Sequence, residues 1–543
     1  MPVERIDMAL CNGCQMCVDT CPMDVFRLDT LVVARNEFPP CRMVCPAGVD
    51  MRNYIYLVKE GMIEEAINVL RDDLPLPAVT GRICPHPCES ECARKEVDEA
   101  VNINSLERFV ADYWLKEKVQ PIRKLYSAET AIIGSGPAGL SCAYFLAKAG
   151  YPVTVFEAMP VLGGMLRIGI PEYRLPRNVL DAQINYIRDM GVEFKTGITI
   201  GKDMTLEELK NDYQAIFFAT GKPLSNRIEL EGARREGVLW GLDFLRDFSL
   251  NQKTKVKDRV AVLGGGNVAL VVALTALRLG AKEVQIACLE SEDKMPAFQD
   301  EIRQAVDEGV RINASWGPKR ILVDGGKVAG IELVRCISVF DGAGRFSPSF
   351  NEQEKKMINA DMIILAIGQV PDLSLIPKGM KISQDSTIQI DPITLETNLP
   401  GIFAGGDVAT KGSSTSVVEA ISAGRRASVS IDRYLKGEDL KAGRFMKPDR
   451  VKKPPREGIQ NMARQQTPEL PVSQRGANFK EVKIGFNEDR AHLEAQRCMT
   501  CGSRAVIKYV EDCQLCLYCE RDCPQKAIYV SPEKKEEPLL AWG

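Results

Sequence analysis

The chain has 543 residues, of which 45% are hydrophobic and 26% are charged, and its formal net charge is −3. This length predicts about two to four domains, and the near balance of charge gives no electrostatic reason to expect nucleic acid or a membrane surface as a partner. The chain has 18 Cys and only 2 His, and no apolar signal segment precedes Cys11. We therefore expect a cytoplasmic protein whose thiolates bind metal, rather than a disulfide-rich secreted protein or a histidine-dependent hydrolase.

Two cysteine runs lie at opposite ends of the chain, in residues 1–35 and in residues 481–543. Each has three cysteines spaced as Cys-x2-Cys-x2-Cys, a fourth cysteine after three more residues, and then a proline: Cys11, Cys14, Cys17, Cys21 and Pro22; Cys513, Cys516, Cys519, Cys523 and Pro524. In bacterial ferredoxins three cysteines of such a run bind one 4Fe–4S cluster and the fourth binds the other cluster of a pair.

We predict that the two ferredoxin halves pair within this chain, because each run is only half of a two-cluster fold. One cluster is then bound by Cys11, Cys14, Cys17 and Cys523, and the other by Cys513, Cys516, Cys519 and Cys21. The alternative is that each half pairs with another chain.

Residues 36–125 form a second cysteine-bearing region with helical character. The grouped cysteines outside the ferredoxin runs are Cys41, Cys45, Cys84, Cys88, Cys92, Cys498 and Cys501. The isolated cysteines lie in apolar helix-like or strand-like runs, and we expect core thiols at Cys142, Cys288 and Cys336. Residues 436–480 are rich in Lys, Arg, Pro and Gln, which is typical of an extended linker.

Residues 126–255 alternate apolar strands with helices and Gly-rich turns, which predicts the first part of a Rossmann-type FAD-binding domain. In its glycine fingerprint, the first glycine permits a tight turn, the second lets a pyrophosphate approach the backbone, and the third lets helix and strand pack closely. An acidic residue about 20 positions later accepts hydrogen bonds from ribose hydroxyls. The predicted FAD contacts here are Gly134, Gly136, Pro137, Ala138, Gly139 and Glu157.

Residues 256–370 carry a second glycine fingerprint, which predicts a pyridine-nucleotide domain inserted before the second part of the FAD domain, residues 371–435. Its predicted contacts are Gly264, Gly266, Asn267 and Val268. Residues 261–280 are also long enough to cross a bilayer, but three consecutive glycines favour a buried strand, a turn and a helix.

A family resemblance rests on residues 41–50, 81–92 and 101–109, which look like the N-terminal iron–sulfur domain of the glutamate synthase small subunit and of dihydropyrimidine dehydrogenase. That domain holds two 4Fe–4S clusters, one of which uses a Cys-x2-Cys pair just upstream. Here no such pair precedes Cys41, and residues 494–502 resemble the missing segment. The resemblance thus implies one cluster on Cys41, Cys92, Cys498 and Cys501 and another on Cys45, Cys84, Cys88 and Glu107. Without it, Glu107 would be an ordinary glutamate on a helix surface.

The same family resemblance extends to residues 163–176, 215–221 and 397–409. It implies further cofactor contacts at Gly164, Arg167, Thr220, Gly221, Gly368, Gly406 and Asp407. NADPH-using relatives carry a Tyr-Arg-Arg run where this chain has Cys288, Leu289 and Glu290. Because a carboxylate repels a 2′-phosphate, we predict that Glu290 selects NADH. The alternative is that Glu290 faces solvent and Lys294 binds the phosphate.

These observations predict an α/β two-dinucleotide-binding flavoprotein body with a helical iron–sulfur domain and a ferredoxin-like domain. The predicted cofactors are FAD, NAD(H) rather than NADP(H), and four 4Fe–4S clusters. The predicted function is electron transfer between NADH and the clusters, and then to ferredoxin or a partner redox subunit, without direct membrane insertion. The alternatives are a stand-alone ferredoxin:NAD(P) reductase and a non-catalytic electron-wire subunit.

Overall fold

The structure is a computed structural model of the chain. It describes residues 3–6, 11, 16–23, 25–29, 37–115, 119–250, 254–410, 416–444, 449–450, 459–501, 504–507, 513, 516–523, 526 and 528–530.

The flavin half of the body is built on a parallel five-stranded sheet in the order β18-β7-β4-β5-β6. Its central strands are short apolar runs that are buried on both faces, as parallel strands between helices usually are. Its elements are β4 (Thr130–Ile133), α8 (Pro137–Lys148), β5 (Val153–Glu157), α9 (Met165–Ile168), α10 (Arg177–Asp189), β6 (Glu193–Thr196), α11 (Leu206–Asp212), β7 (Ala215–Phe218), β18 (Ile402–Ala404) and α15 (Val417–Lys436).

The pyridine-nucleotide domain interrupts the flavin half with a second parallel sheet in the order β12-β11-β10-β16-β9. An antiparallel sheet, β13-β14-β15, packs against it. The elements are β9 (Val238–Trp240), α12 (Gly241–Ser249), β10 (Arg259–Leu263), α13 (Asn267–Arg278), β11 (Glu283–Cys288), α14 (Gln299–Asp307), β12 (Arg311–Ala314), β13 (Trp316–Asp324), β14 (Lys327–Phe340), β15 (Phe346–Asn359) and β16 (Met362–Leu365). Two short antiparallel strands, β8 (Leu224–Ser225) and β17 (Gln369–Val370), join the two halves.

The iron–sulfur domain is helical, and its apolar residues belong to the same buried cluster as the flavin half. It comprises β3 (Glu37–Phe38), α2 (Pro40–Val44), α3 (Met51–Lys59), α4 (Ile63–Asp73), α5 (Pro77–Ile83), α6 (Pro87–Ser90) and α7 (Ile103–Trp114). The strand β3 pairs with β19 (Asp449–Arg450), and helix α16 (Glu488–Ala495) packs on α3 and α7. The C-terminal part of the chain therefore returns to the N-terminal domain.

The two ferredoxin halves pair within the chain, as the sequence predicts. Strand β1 (Val3–Ile6) pairs with β21 (Ile528–Val530), and β2 (Phe26–Asp29) pairs with β20 (Arg504–Ile507). Helices α1 (Met16–Thr20) and α17 (Tyr518–Asp522) also contact each other. Each half therefore completes the sheet and the core of the other.

Among the described residues, no helix is long and apolar enough to span a membrane. The apolar stretch at residues 261–280 folds as strand β10, a glycine turn and helix α13, both of which are buried. The transmembrane alternative is therefore wrong for this stretch.

A buried ion pair fixes the returning segment. The side chains of Arg497 and Glu494 are both 0% exposed, and their Nη1 and Oε1 atoms are 2.7 Å apart. Glu494 also accepts hydrogen bonds from the backbone N–H groups of Asn102 and Gln465, each at 2.7 Å. Arg497 donates to Asp98 at 2.8 Å, and a hydrogen bond from Arg94 holds the pKa of Asp98 well below its usual range.

We expect Arg497→Ala to lower the free energy of unfolding of the iron–sulfur domain by about 3–5 kcal/mol, because Glu494 would stay buried without its cation. The measurements are the thermal unfolding midpoint and the rate at which a protease cuts residues 459–501. Arg490→Ala is the matched control, since Arg490 is exposed and its side chain donates to the Gln466 carbonyl rather than to a buried carboxylate. Equal protease sensitivity in the two variants would contradict this role of the ion pair.

Candidate functional site

The first and third glycines of the first glycine turn leave no room for a side chain. Gly134 has a φ of +105°, and a Cβ there would lie 2.5 Å from the carbonyl oxygen of Ala219. A Cβ on Gly139 would lie 1.9 Å from the carbonyl oxygen of Gly134. At Gly136, by contrast, a Cβ would meet no atom within 4 Å in the described part of the chain, so this position is open in front of helix α8. Such an open backbone at a helix N-terminus suits a pyrophosphate.

Glu157, the predicted ribose-binding residue, lies against this turn. It ends strand β5, and its Oε2 accepts hydrogen bonds from the backbone N–H and the hydroxyl of Ser135, at 2.9 and 2.6 Å. The same hydroxyl accepts a hydrogen bond from the N–H of Gly163 at 3.0 Å. The carboxylate is therefore held against the turn by its second residue, Ser135, which our sequence reasoning did not single out.

Two further predicted segments come to the same edge of the flavin sheet. Thr220 and Gly221 follow β7, and Gly406 and Asp407 follow β18. A Cβ on Gly406 would lie 3.1 Å from the Cβ of Ala138, at the start of helix α8. The carboxyl ends of three strands thus surround one space, which suits an extended dinucleotide such as FAD.

Two other predicted FAD contacts shape the loop after β5. Gly164 has a φ of +51°, and a Cβ there would lie 2.9 Å from the Cα of Gly136. Arg167 donates to the Leu162 carbonyl at 2.6 Å and to the carboxylate of Asp181. The Arg167 guanidinium is therefore engaged in holding this loop.

The second glycine turn repeats the first in the pyridine-nucleotide domain. Gly264 has a φ of +138°, and a Cβ there would lie 2.2 Å from the Ala366 carbonyl oxygen. A Cβ on Gly265 would lie 2.6 Å from Oε2 of Glu290. The Glu290 carboxylate thus lies against the middle residue of its turn, as that of Glu157 does against Ser135.

Two of the other predicted contacts of this domain, Asn267 and Val268, lie at the start of the helix that follows the turn. The side chain of Asn267 accepts a hydrogen bond from the Phe298 N–H at 2.8 Å, and Val268 packs against the domain core. Gly368 lies in the connection to the flavin half, where its carbonyl accepts a hydrogen bond from Asn226 N–H at 2.9 Å. Burial raises the pKa of the nearby Cys288 thiol to about 12, and the charge of Glu290 is the next largest cause. This fits the expectation that Cys288 is a core thiol.

The first predicted cluster set of the iron–sulfur domain surrounds one cavity, lined by Cys41, Cys92, Cys498 and Cys501. Burial raises the pKa of Cys41 well above its usual value, and the nearby thiols Cys501, Cys498 and Cys92 raise it further. Arg52 lies beside this cavity with its side chain 2% exposed, and donates to the Cys501 carbonyl at 3.4 Å. Four thiols and a buried cation fit an anionic iron–sulfur cluster.

The second predicted set lines a neighbouring cavity formed in part by Cys45, Cys84, Cys88 and Glu107. Glu107 is 6% exposed, so the alternative of an ordinary surface glutamate is wrong. Its Oε1 accepts a hydrogen bond from the Thr80 hydroxyl at 2.5 Å, and burial raises its pKa to about 7. Burial also raises the pKa of Cys84, and the next largest cause is Glu107.

The ferredoxin unit brings its own cysteines together. Burial is the main reason that the pKa of Cys519 is raised to about 12. The nearby thiols of its predicted partners also raise it: Cys513, Cys21 and Cys516. Of the other set, Cys11, Cys17 and Cys523 belong to one apolar core, which also contains cysteines of the first set, and Cys14 lies outside the described residues.

In the part of the chain that the structure describes, no three His, Cys, Asp or Glu side chains converge on a point where they could hold a single metal ion. A 4Fe–4S cube is larger than an ion, so its ligands have to surround a space. The two cavities of the iron–sulfur domain meet that requirement.

Comparisons with known proteins agree with this arrangement. Residues 128–424 match the family model of pyridine nucleotide-disulphide oxidoreductases. The chain belongs to this family. Residues 34–119 match domain II of dihydropyrimidine dehydrogenase, a 4Fe-4S cluster domain, and residues 4–27 match a 4Fe-4S binding domain.

Three curated relatives share most of the chain. The NADP(+)-dependent formate dehydrogenase subunit beta of Moorella thermoacetica is 38% identical over 500 residues, which cover 85% of this chain and 70% of that protein. The NADPH-Fe(3+) oxidoreductase subunit beta of Geobacter sulfurreducens is 37% identical, with 85% and 75% covered. The NADPH glutamate synthase small chain of Escherichia coli is 34% identical, with 73% and 89% covered.

Among solved structures, FprA from Mycobacterium tuberculosis superposes with a TM-score of 0.51 at 19% identity, over 57% of this chain and 85% of its own. This likeness shows the fold of the body. The expected family, glutamate synthase small subunit-like with a fused iron–sulfur domain, and the expected fold class are therefore confirmed.

We expect Gly136→Ala to abolish FAD retention without unfolding the protein. Its Cβ would meet no atom of the described residues within 4 Å, but it would project into the space that a pyrophosphate needs. The purified variant should unfold on heating as the wild-type protein does after its FAD has been removed. It should retain less than about a tenth of the wild-type FAD. Gly342→Ala, in an exposed turn with equal room for a Cβ, is the control. Full FAD occupancy in Gly136→Ala would show that the cofactor lies elsewhere.

Proposed function

We propose that this chain is the NADH-oxidising module of a larger redox complex, and that it passes electrons from NADH through FAD to four 4Fe–4S clusters. The observation that carries the proposal is the joining of two dinucleotide turns and the iron–sulfur cavities in one body. FAD, when bound, would convert a two-electron hydride into single electrons for the clusters. The chain's own part is to hold and align the cofactors. The subunit names of two of the relatives support a partner redox subunit.

The packing of helix α15 supports an order for the electron path. This helix begins at Val417, eleven residues after Gly406, and Val418 in its first turn lines the cavity of Cys45. It also packs against α8, where the Ser141 hydroxyl donates to the Ile421 carbonyl at 2.8 Å. We therefore propose that the cluster on Cys45, Cys84, Cys88 and Glu107 accepts electrons from the flavin.

The next step of this path is short. Cys41 and Cys45 lie at the two ends of the five-residue helix α2, so one ligand of each set comes from the same turn of chain. Strand β20, which begins three residues after Cys501, then enters the ferredoxin unit. The proposed order is flavin, the Cys45 set, the Cys41 set and the ferredoxin pair.

The preference for NADH is proposed from Glu290. Its carboxylate lies against Gly265 in the middle of the turn. An acidic residue at this place in a dinucleotide fold accepts hydrogen bonds from the ribose hydroxyls, and it would repel a 2′-phosphate. Lys294, the alternative phosphate-binding residue, is exposed in a short 3-10 helix that follows. The relatives named above include proteins that carry NADP(+) or NADPH in their names, so NADPH is the competing nucleotide.

The nucleotide proposal predicts that wild-type flavin is reduced with a kcat/KM for NADH at least about tenfold above that for NADPH. Glu290→Arg should lower this ratio by about a hundredfold, because the carboxylate would repel the 2′-phosphate of NADPH whereas the guanidinium would attract it. Glu292→Arg makes the same change of charge two residues away at an exposed position, and serves as the control. Equal kcat/KM values for NADH and NADPH in the wild type, or a ratio unmoved by Glu290→Arg, would refute the role of Glu290.

The cluster proposal predicts about sixteen iron atoms per chain, and about twelve in the double variant Cys498→Ser, Cys501→Ser. The loss should come from a cluster that also uses Cys41 and Cys92, so Cys41→Ser should remove the same electron paramagnetic resonance signal. Cys336→Ser changes a thiol of the nucleotide domain and should keep all the iron. An undiminished iron count in the double variant would separate Cys498 and Cys501 from any cluster.

A further inference from the structure

Residues 468–485, called the strap below, form a hairpin in the segment that returns to the N-terminal domain. Its stem is antiparallel: the N–H of Leu470 donates to the Val482 carbonyl at 2.8 Å, and the N–H of Ile484 donates to the Pro468 carbonyl at 2.7 Å. Its loop, residues 471–481, lies against the pyridine-nucleotide domain.

Arg278, at the end of helix α13, binds the strap loop to the nucleotide domain. Its side chain is 0% exposed, and its Nη1 donates to the carbonyls of Arg475 and Asn478 at 2.6 and 3.2 Å. Its Nη2 donates to both carboxylate oxygens of Glu308, which is itself 4% exposed, at 2.8 and 2.6 Å. A buried guanidinium whose two Nη atoms make four hydrogen bonds fixes the loop's position closely.

The strap also reaches the flavin half through Tyr173, which lies between helices α9 and α10. The N–H of Val482 donates to the Tyr173 carbonyl at 3.0 Å. The ring of Phe479 lies 4.6 Å from that of Phe248 in helix α12 and 6.4 Å from that of Tyr173. Phe479 therefore packs where the flavin half meets the core of the nucleotide domain.

The far side of the strap is bound to the iron–sulfur domain. The carboxylate of Glu481 lies 2.8 Å from Arg82 and 3.0 Å from Arg108. Arg108 also donates to the carbonyls of Lys483 and Ile484, at 2.7 and 2.9 Å. One hairpin thus contacts the three parts of the protein that the proposed electron path joins.

The two nucleotide-binding halves are joined covalently by two chain segments, which pair with each other through the short strands β8 and β17. This connection is slight by comparison with the contacts of the strap. Hydride transfer requires the nicotinamide ring to lie directly on the flavin, and a small rotation of one domain would separate them. We propose that the strap holds the pyridine-nucleotide domain in the orientation that hydride transfer needs, with Phe479 as its positioning residue. This inference rests on the proposed function.

The test compares Phe479→Ala with the wild-type holoprotein by rapid anaerobic mixing with NADH and with NADPH. At saturating concentration of the faster nucleotide, flavin reduction should slow by about tenfold or more, whereas the dissociation constant of the nucleotide should change by less than about threefold. FAD and iron contents should not change. Phe479→Leu keeps an apolar side chain in the same place and should give an intermediate rate with full cofactor content.

Val472→Ala is the matched control, because Val472 lies in the same loop with its side chain 44% exposed. An unchanged rate of flavin reduction in Phe479→Ala and Phe479→Leu would overturn the positioning role, and so would a loss that appears wholly in nucleotide affinity. Failure of the proposed function would look different: neither nucleotide would reduce the flavin of the wild type. If Phe479→Ala loses FAD or iron, the rates of flavin reduction in Phe479→Leu and Val472→Ala are compared instead. A slower rate in Phe479→Leu supports the positioning role, and equal rates contradict it.

Discussion

The buried pair of Arg497 and Glu494 is the interaction on which the rest of the arrangement depends. Two charges with no solvent exposure are costly unless every polar atom finds a partner, and here backbone groups from both ends of the chain supply those partners. The pair lies immediately before Cys498. Its position therefore decides whether Cys498 and Cys501 reach the cavity that Cys41 and Cys92 line. A network this specific stabilises one docking of the C-terminal segment over all others.

Each half of the nucleotide-binding body depends on a glycine turn that lies very close to the backbone of a neighbouring segment. The first glycine of each turn abuts a backbone carbonyl that follows a neighbouring strand, Ala219 in one half and Ala366 in the other, so neither Gly134 nor Gly264 tolerates a side chain. Each turn also faces a carboxylate from the end of the next strand, Glu157 or Glu290. The two turns thus give one body two places that suit a dinucleotide. Helix α15, which packs on the helix after the first turn, also lines one of the iron–sulfur cavities.

Much of this could be predicted because the chemistry constrains spacing. Glycine turns, ferredoxin runs and the count of cysteine ligands are local patterns, and the pairing of the ferredoxin halves followed from the fact that half a ligand set cannot complete a cube. The family resemblance implied that Cys498 and Cys501 take the place of the pair missing before Cys41, and both line the cavity that Cys41 lines. What the sequence could not show is long-range packing. The burial of Glu107, the engagement of Arg167 by Asp181 and the path of the strap each depend on contacts between distant segments that carry no local pattern.

The central claim is that the C-terminal segment completes a cluster of the N-terminal domain. An iron-edge anomalous diffraction map from anaerobically grown crystals of the intact protein tests it most directly. The account predicts compact iron density enclosed by Cys41, Cys92, Cys498 and Cys501, beside a second cluster at Cys45, Cys84, Cys88 and Glu107. Iron density at the first place bound without Cys498 and Cys501, or no iron there at all, would contradict it.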